Sequence, residues 1–217
     1  IRGDLMDNIS VIIRNRNEER YIGYAIQSVL DTFDKPEIIV VDNNSTDDSM
    51  NIVNTFDFEN IKTYNINSYT PGKSLNYGVS VCSNDYVLVL SAHSQIMNCK
   101  FGKIKGLLDE YCAVGGKQIP IWNGKKISRR YVWSNFIDED SINLYSKNEN
   151  RYFLHNAFTF YQKQILIDNP FDETLSTKED RYWVNDMINR EAKSYYDSDT
   201  MCHHHYTSSG ATWKGIG

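Results

Sequence analysis

The chain has 217 residues, enough for one α/β domain with its own core and marginal for two. Its formal net charge of −5 argues against a general nucleic-acid binder, which needs a basic face. No apolar run approaches the roughly 20 residues that span a bilayer, and no signal peptide precedes the first strand-forming run. Cys82, Cys99, Cys112 and Cys202 form no C-x-x-C pair and read as reduced thiols of a cytosolic protein. The start at Ile1 rather than Met is compatible with a domain excised from a longer protein.

Residues 9–13 are predicted as a strand, followed by a helix in which Ile22, Ala25, Ile26, Val29 and Leu30 recur at helical spacing. Asn17 reads as its N-cap, with Glu18 and Glu19 in the first turn. Residues 37–41 form the second strand, which runs into Asp42-Asn43-Asn44-Ser45-Thr46-Asp47-Asp48. Ser45 or Thr46 is expected to cap a helix carrying Met50, Val53 and Phe56 inward. A weaker strand at 61–65, a turn at 70–73 and a short helix through Leu75, Val79 and Cys82 come next. The unbroken apolar run Tyr86-Val87-Leu88-Val89-Leu90 predicts a strand buried on both faces in the middle of a parallel sheet. It empties into Ser91-Ala92-His93-Ser94-Gln95, where Ser91 and His93 point the same way if the extended geometry continues. With a helix at 101–111, the β-α-β-α-β rhythm predicts a parallel sheet with right-handed crossovers.

The second half is less regular. Residues 113–119 are expected as a strand, and 120–151 as a long excursion over the active face, basic at Lys125, Lys126, Arg129 and Arg130. Residues 151–161 read as extended. Residues 179–191 read as a helix capped by Thr177, with Trp183, Met187 and Ile188 on one side. A short strand at 194–196 and a turn lead to His203, His204 and His205, and the tail carries Trp213 and Lys214.

In open α/β sheets ligands bind beyond the carboxyl ends of the strands, so the residues after Ile13, Val41 and Leu90 are expected to converge. Asp42 can accept from a nucleobase N–H or a ribose hydroxyl, or merely cap its own turn. Asn15 and Arg16 can touch base or phosphate, or only complete a helix entry. Gly72, Lys73, Ser74 and Asn76 suit a phosphate or ribose contact, and an ordinary turn with its cap explains them equally well. Glu179 and Asp180 sit in a first helical turn beside Lys178 and Arg181, which keeps a carboxylate ionised. Such a group can act as general base on a hydroxyl, or simply complement the helix dipole. The three C-terminal histidines are either structural or, with His93, part of a divalent metal site.

The ordered set of motifs resembles the inverting glycosyltransferases of family 2, over nearly the whole chain from Ile9 onward. Those motifs are Ser10-Val11-Ile12-Ile13-Arg14-Asn15-Arg16-Asn17-Glu18, Ile39-Val40-Val41-Asp42-Asn43-Asn44-Ser45-Thr46-Asp47 and Gly72…Asn76-Tyr77-Gly78, then Phe171-Asp172-Glu173, Glu179-Asp180 and the late histidines. The resemblance implies the GT-A fold of nucleotide-diphospho-sugar transferases. That fold is a Rossmann-like three-layer α/β/α sandwich with a mostly parallel central sheet, expected here as a single domain over residues 1–217. It implies that Asn15 and Asp42 line the nucleobase and ribose pocket, with Arg16, Asn44, Lys73, Asn76, Ser91 and Lys214 completing the donor-binding set. It makes Asp180 the general base and His203 or His205 a metal ligand.

The corner after Leu90 is where the family keeps an Asp-x-Asp for a divalent cation. Ser91-Ala92-His93 replaces it here, as in a subgroup with Ser-Ala-His-Ser, Lys-Glu-Asp-Arg-Tyr-Trp and Trp-Lys-Gly runs. Three consequences stay open. His93 ligates the cation (Mn or Mg), or His93, Lys73 or Lys214 stabilises the diphosphate without one, or the domain is inactive. The resemblance implies transfer of a sugar from a nucleotide-sugar donor to a hydroxyl of a glycan or lipid-linked saccharide. Trp122, Tyr131 and Trp133 would form an acceptor wall, and the tail would close over the diphosphate. The expected location is cytoplasmic, with peripheral association at the inner face of a membrane compatible, and no oligomeric state is signalled. The rivals are a nucleotidyltransferase and a non-catalytic nucleotide-sugar-binding module. The first needs a Gly-rich basic loop after the first strand, and Arg14-Asn15-Arg16-Asn17 lacks glycine.

Overall fold

Apolar, β-branched runs favour the pleated strand, and helices with apolar residues at three- and four-residue spacing can cover such a sheet. The computed structural model, which describes residues 7–127, 131–208 and 210–213, follows that logic. In chain order it contains β1 (Ile9–Asn15), α1 (Ile22–Thr32), β2 (Glu37–Asp42), α2 (Ser49–Val53), β3 (Ile61–Asn65), α3 (Pro71–Val81) and β4 (Tyr86–Ser91). Next come β5 (Ser94–Asn98), α4 (Phe101–Leu108), β6 (Ala113–Trp122), β7 (Lys125–Lys126) and a 3-10 turn at Tyr131–Asn135. The remainder is β8 (Ser141–Ile142), β9 (Tyr145–Ser146), β10 (Arg151–Tyr152), β11 (Phe158–Gln162), α5 (Lys163–Asp168), α6 (Glu179–Asn189) and β12 (Ser194–His205).

The main sheet has the order β3-β2-β1-β4-β11-β6-β12-β5, with β7 added to β6 and β8 to β12. β1 to β4 run parallel, as do β6 and β12, while β11 is antiparallel to both of its neighbours. The sheet is therefore mixed and mostly parallel, as GT-A architecture requires. β4 is buried on both faces as expected, but it is parallel only to β1 and antiparallel to β11. Leu88 and Leu90 face a layer with Ile22, Ile26 and Val29 of α1 and Ile104 of α4. Val87 and Val89 face the other layer, with Leu75 and Val79 of α3 and Trp183 and Val184 of α6. Helices thus cover both sides, giving three layers.

Several local expectations are corrected. Asn17 does not cap α1: it sits at φ 54°, a conformation asparagine tolerates, and its Oδ1 accepts from the Thr46 N–H at 2.7 Å. α1 starts later, at Ile22, so Glu18 and Glu19 precede it. Ser45 turns back to donate to Asp42, and Asp47 accepts the Ser49 N–H that opens α2. Thr70 does cap α3, its hydroxyl accepting from Lys73 N–H at 3.1 Å ahead of Pro71. Thr177 does not cap α6, whose N-cap is Lys178 in the left-handed region at φ 63°. Residues 151–161 split into β10 and β11 around a bend, and β5 and α5 add elements not predicted. The largest change is β12, a single twelve-residue strand with a register shift between Asp197 and Met201, which carries all three histidines. The helix at 101–111 ends earlier, at Leu108.

Glu37, at the start of β2, ties three neighbours together. Its buried carboxylate accepts from Ser10 of β1 at 2.5 Å, Lys62 of β3 at 2.6 Å and the Ser83 hydroxyl and N–H at 2.8 Å each. Burial pushes this acid up, but the bonds from Lys62, Ser10 and Ser83 outweigh it and hold it down at about 2. A depressed carboxylate stabilises the fold above the unfolded acid's value near 4.5, and that contribution is lost as pH falls toward 2. Glu37→Gln should therefore destabilise the protein by about 2 kcal/mol at pH 7, measured by urea unfolding. The gap between the two proteins should close as pH is lowered from about 5 toward 2.

Candidate active site

A cleft of about 420 Å³ opens beyond the carboxyl ends of β1 and β4. β1 contributes Arg14 and Asn15, and the corner between β4 and β5 contributes Ser91 and His93. The bend before β11 supplies His155 and Asn156, the start of α6 supplies Glu179 and Asp180, and β12 supplies His204. Gly210 and Thr212 bring the tail to the rim. The strand ends after Ile13 and Leu90 therefore do converge.

On the β1–β2 side, Asn15 Nδ2 donates to Asp42 Oδ1 at 2.8 Å. Asp42 also accepts from the Ser45 N–H at 2.9 Å and the Ser45 hydroxyl at 2.6 Å, so it both shapes its turn and orients Asn15. Asn15 lines the cleft and its Oδ1 is buried with no hydrogen-bond partner in the structure, the mark of a site that a ligand donor completes. Arg16 also lines the cleft, at its exposed edge. Asn44 instead donates to Ile66 O at 3.2 Å.

The polar groups of Lys73 and Asn76 are engaged by neighbouring segments. Asn76 donates to Phe171 O at 2.9 Å and to Glu173 Oε1 at 3.0 Å, and accepts from Phe171 N–H at 2.9 Å. A Cβ on Gly72 would lie 2.4 Å from Asp172 O, so glycine is required for α3 to pack on the 171–173 segment. Lys73 Nζ donates to Ser68 Oγ at the surface. Of the predicted donor-binding residues, Asp42, Asn44, Lys73 and Asn76 are not among the cleft-lining side chains: Asp42 is engaged by Asn15 and Ser45, Asn44 by Ile66 O, Lys73 by Ser68, and Asn76 by Phe171 and Glu173. Lys214 lies outside the described residues.

The carboxylate pair is buried at the cleft wall. Asp180 Oδ1 accepts from the Arg181 N–H at 2.8 Å and Arg181 Nη1 at 3.0 Å, while Oδ2 accepts from the Asn156 N–H at 2.8 Å and Nη1 at 3.0 Å. Burial opposes its ionisation, but the Arg181 guanidinium and the Asn156 N–H hold it below the usual carboxylate range. Glu179 Oε1 accepts from Arg14 Nη1 at 2.9 Å. Burial pushes Glu179 up, and the neighbouring Asp180 charge adds to this against the pull of Arg14. His155, between these groups and His204, is driven down to about 3 by burial and the nearby Arg181, and is neutral.

The imidazoles also need correction. Alternation along β12 sends His204 inward and its neighbours to the opposite face. His205 stacks on Tyr21 with centroids 4.7 Å apart, and His203 is half-buried beside it. Of the three histidines, His204 and neither of the candidate ligands His203 and His205 lines the cleft, and its Nε2 lies 3.0 Å from His93 Nε2. His93 Nδ1 meets Glu18 Oε1 at 3.1 Å, and Ser91 Oγ lies 3.2 Å from Nε2. Among the described residues no group of three or more His, Cys, Asp and Glu could hold a metal by itself. Two facing imidazoles still fit a cation whose remaining ligands come from a diphosphate and water.

Glu18, His155 and Asn156 line the cleft without being candidates from the sequence, and His204 was one of three histidines the sequence left undistinguished. The period-two pattern of the histidine run was the available signal for His204, hidden by a turn expected ahead of it. Trp133 is not an exposed acceptor wall: it is buried in a cluster with Phe153 and Trp213, its ring 5.2 Å from His204. Trp122 is half-buried against Tyr206, and the Tyr131 side chain and residues 129 and 130 lie outside the described part. Trp213 is buried, so the tail is anchored beside the cleft.

The family described as glycosyl transferase family 2 matches residues 10–169. Relatives include an uncharacterized glycosyltransferase of Rickettsia typhi, 33% identical over 147 residues, covering 65% of this chain and 47% of that protein. Another is the GalNAc(5)-diNAcBac-PP-undecaprenol beta-1,3-glucosyltransferase of Campylobacter jejuni, 26% identical over 201 residues, covering 88% and 62% respectively. Among solved structures, S. aureus TarS 1-349 in complex with UDP-GlcNAc superposes with a TM-score of 0.71 at 22% identity, covering 95% of this chain and 61% of that one. The chain spans about half the length of the Rickettsia relative. With its family match spanning most of the chain and its GT-A sheet in place, the chain belongs to glycosyl transferase family 2.

Proposed function

We propose that this chain is an inverting glycosyltransferase that moves a sugar from a nucleotide-sugar donor to a hydroxyl of a glycan or lipid-linked saccharide. The observation that carries this is a cleft lined both by the Glu179-Asp180 pair and by the His93–His204 pair. A UDP-sugar is the first donor to test, since TarS is described with UDP-GlcNAc. The acceptor class is supported by the undecaprenol-linked substrate named for the Campylobacter relative. No helix among the described residues is long and apolar enough to cross a membrane.

The acceptor oxygen attacks the anomeric carbon as the bond from that carbon to the diphosphate oxygen breaks, and the leaving group keeps the electron pair. Asp180 takes the acceptor proton. Its four lone-pair directions are already occupied, so one Arg181 bond must yield as the hydroxyl arrives. Glu149 Oε1, 3.6 Å from Arg181 Nη2, offers the guanidinium its other carboxylate. Asn15 Oδ1 accepts from the nucleobase, and Ser91 and Arg16 stand toward the diphosphate. His93 and His204 would hold a divalent cation that neutralises the diphosphate, their imidazoles shifting preference from Mg toward Mn. A second assignment of the base, to Glu179, is favoured by burial and the neighbouring Asp180 charge, which push its carboxyl above the usual range and make it the stronger base of the pair.

Asp180→Asn should lower transfer by about 100- to 10,000-fold in a steady-state assay, with Glu179→Gln affected less. A base must be deprotonated to work, so with Asp180 in that role the acid limb of kcat/KM falls below the usual carboxylate range. A limb above that range, together with near-normal transfer by Asp180→Asn, moves the role to Glu179. In thermal unfolding, UDP with Mn should raise Tm more than UDP alone and more than GDP, CMP or dTDP with Mn. At 100 times Kd the stabilisation amounts to about 2.7 kcal/mol.

A further inference from the structure

Four side chains, Gln118, His204, His93 and Glu18, form one continuous line of polar contacts, the last three at the cleft and Gln118 beneath them. Gln118 of β6, buried, donates from Nε2 to His155 O at 3.1 Å, which settles the orientation of its amide. Its Oε1 therefore faces His204 Nδ1, at 2.9 Å. A carbonyl oxygen only accepts, so His204 must carry its proton on Nδ1. On the other side the Glu18 carboxylate accepts from His93 Nδ1 at 3.1 Å. Both rings are thereby turned so that Nε2 meets Nε2 at 3.0 Å.

With each Nδ1 proton spoken for, two neutral rings would set lone pair against lone pair. The Ser91 hydroxyl, 3.2 Å from His93 Nε2, can serve one of them with its single proton and not both. Rotation of His204 offers no escape, because Trp133, His155 and Trp213 pack edge-on around its ring with centroids 5.2, 5.7 and 5.7 Å away.

We propose that Gln118 is a positioning residue that locks His204 in the Nδ1–H tautomer, so that His204 and His93 together present two Nε2 lone pairs to one cation. Glu18 does the same for His93 from the opposite side. The inference rests on the cation assignment made above and deepens it. It explains why a glutamine is buried under the site, and why His204, rather than either flanking histidine, is aimed at the corner that holds His93. Metal-bound histidines elsewhere are oriented in the same way by acceptors on their second ring nitrogen.

The test uses the whole chain with a fixed excess of UDP, which supplies the diphosphate oxygens, and Mn as the titrant, by isothermal titration with the heat of Mn binding to UDP alone subtracted. The wild type should bind Mn at a site that His93→Ala removes. Gln118→Met, which keeps the length of the side chain but has no strong acceptor, should bind Mn about 10- to 100-fold more weakly. Gln118→Glu, which restores an acceptor, should return the affinity to within a few-fold of the wild type. Histidine-ring ¹⁵N spectra of the wild type report the tautomer directly and need no variant to fold. They should show His204 with its proton on Nδ1. A proton on Nε2 of His204, or equal Mn affinity for wild type and Gln118→Met, overturns the tautomer lock. Failure of the folded wild type to bind Mn, with the Nδ1–H tautomer still present, overturns the cation assignment instead.

Discussion

Burial of β4 on both faces is the constraint on which the site depends. A strand whose side chains meet apolar layers above and below has no face on which to carry polar groups. Its chemistry is therefore displaced to the carboxyl end, where the chain leaves the sheet at Ser91 and turns through Ala92 and His93 into β5. β1 runs parallel to β4 with Arg14 opposite Ser91, so its own polar end, Arg14 and Asn15, arrives at the same level. The antiparallel β11 enters from that end as well, which puts the bend at His155 and Asn156 over the corner.

Charge is then arranged around that opening in buried pairs. Arg14 holds Glu179, and Arg181 holds Asp180 while reaching toward Glu149. Buried ion pairs of this kind add little net stability, because desolvation offsets their attraction. What they do here is divide two adjacent carboxylates into unlike acids. The one gripped by Arg181 and a backbone N–H is held ionised, and its neighbour is pushed upward. His155 lies between these carboxylates and His204, and burial drives both imidazoles down toward the neutral form.

Local signals succeeded where one short stretch of chain decided the outcome. The apolar spacing of α1 places Ile22, Ala25, Ile26 and Val29 in the core, and the unbroken apolar run of β4 buries Val87, Leu88, Val89 and Leu90. They failed where a distant partner outbid the local one. Asn17 had every attribute of a cap, but the Thr46 N–H claimed its oxygen and the chain took a left-handed turn instead. Asn76 and Lys73 carried the polarity of a phosphate site and spend it on the 171–173 segment and Ser68. Glu18 looked like a dipole partner and is bound to His93, 75 residues away in sequence.

The sequence by itself determined the layered α/β class, the strand ends that converge, the Glu179-Asp180 pair and the exchange of carboxylates for Ser91 and His93. Each of these follows from periodicity or residue type within a few neighbouring positions. Only the tertiary structure decided which of three consecutive histidines enters the site. That choice depends on the register of β12 between β6 and β5, and a one-residue slip would reverse it. The proton positions on His93 and His204 depend in turn on Glu18 and Gln118, brought from β6 and from the loop after β1. Pairing across a sheet and hydrogen bonds between remote segments set these features, and neither leaves a mark in the local order of residues.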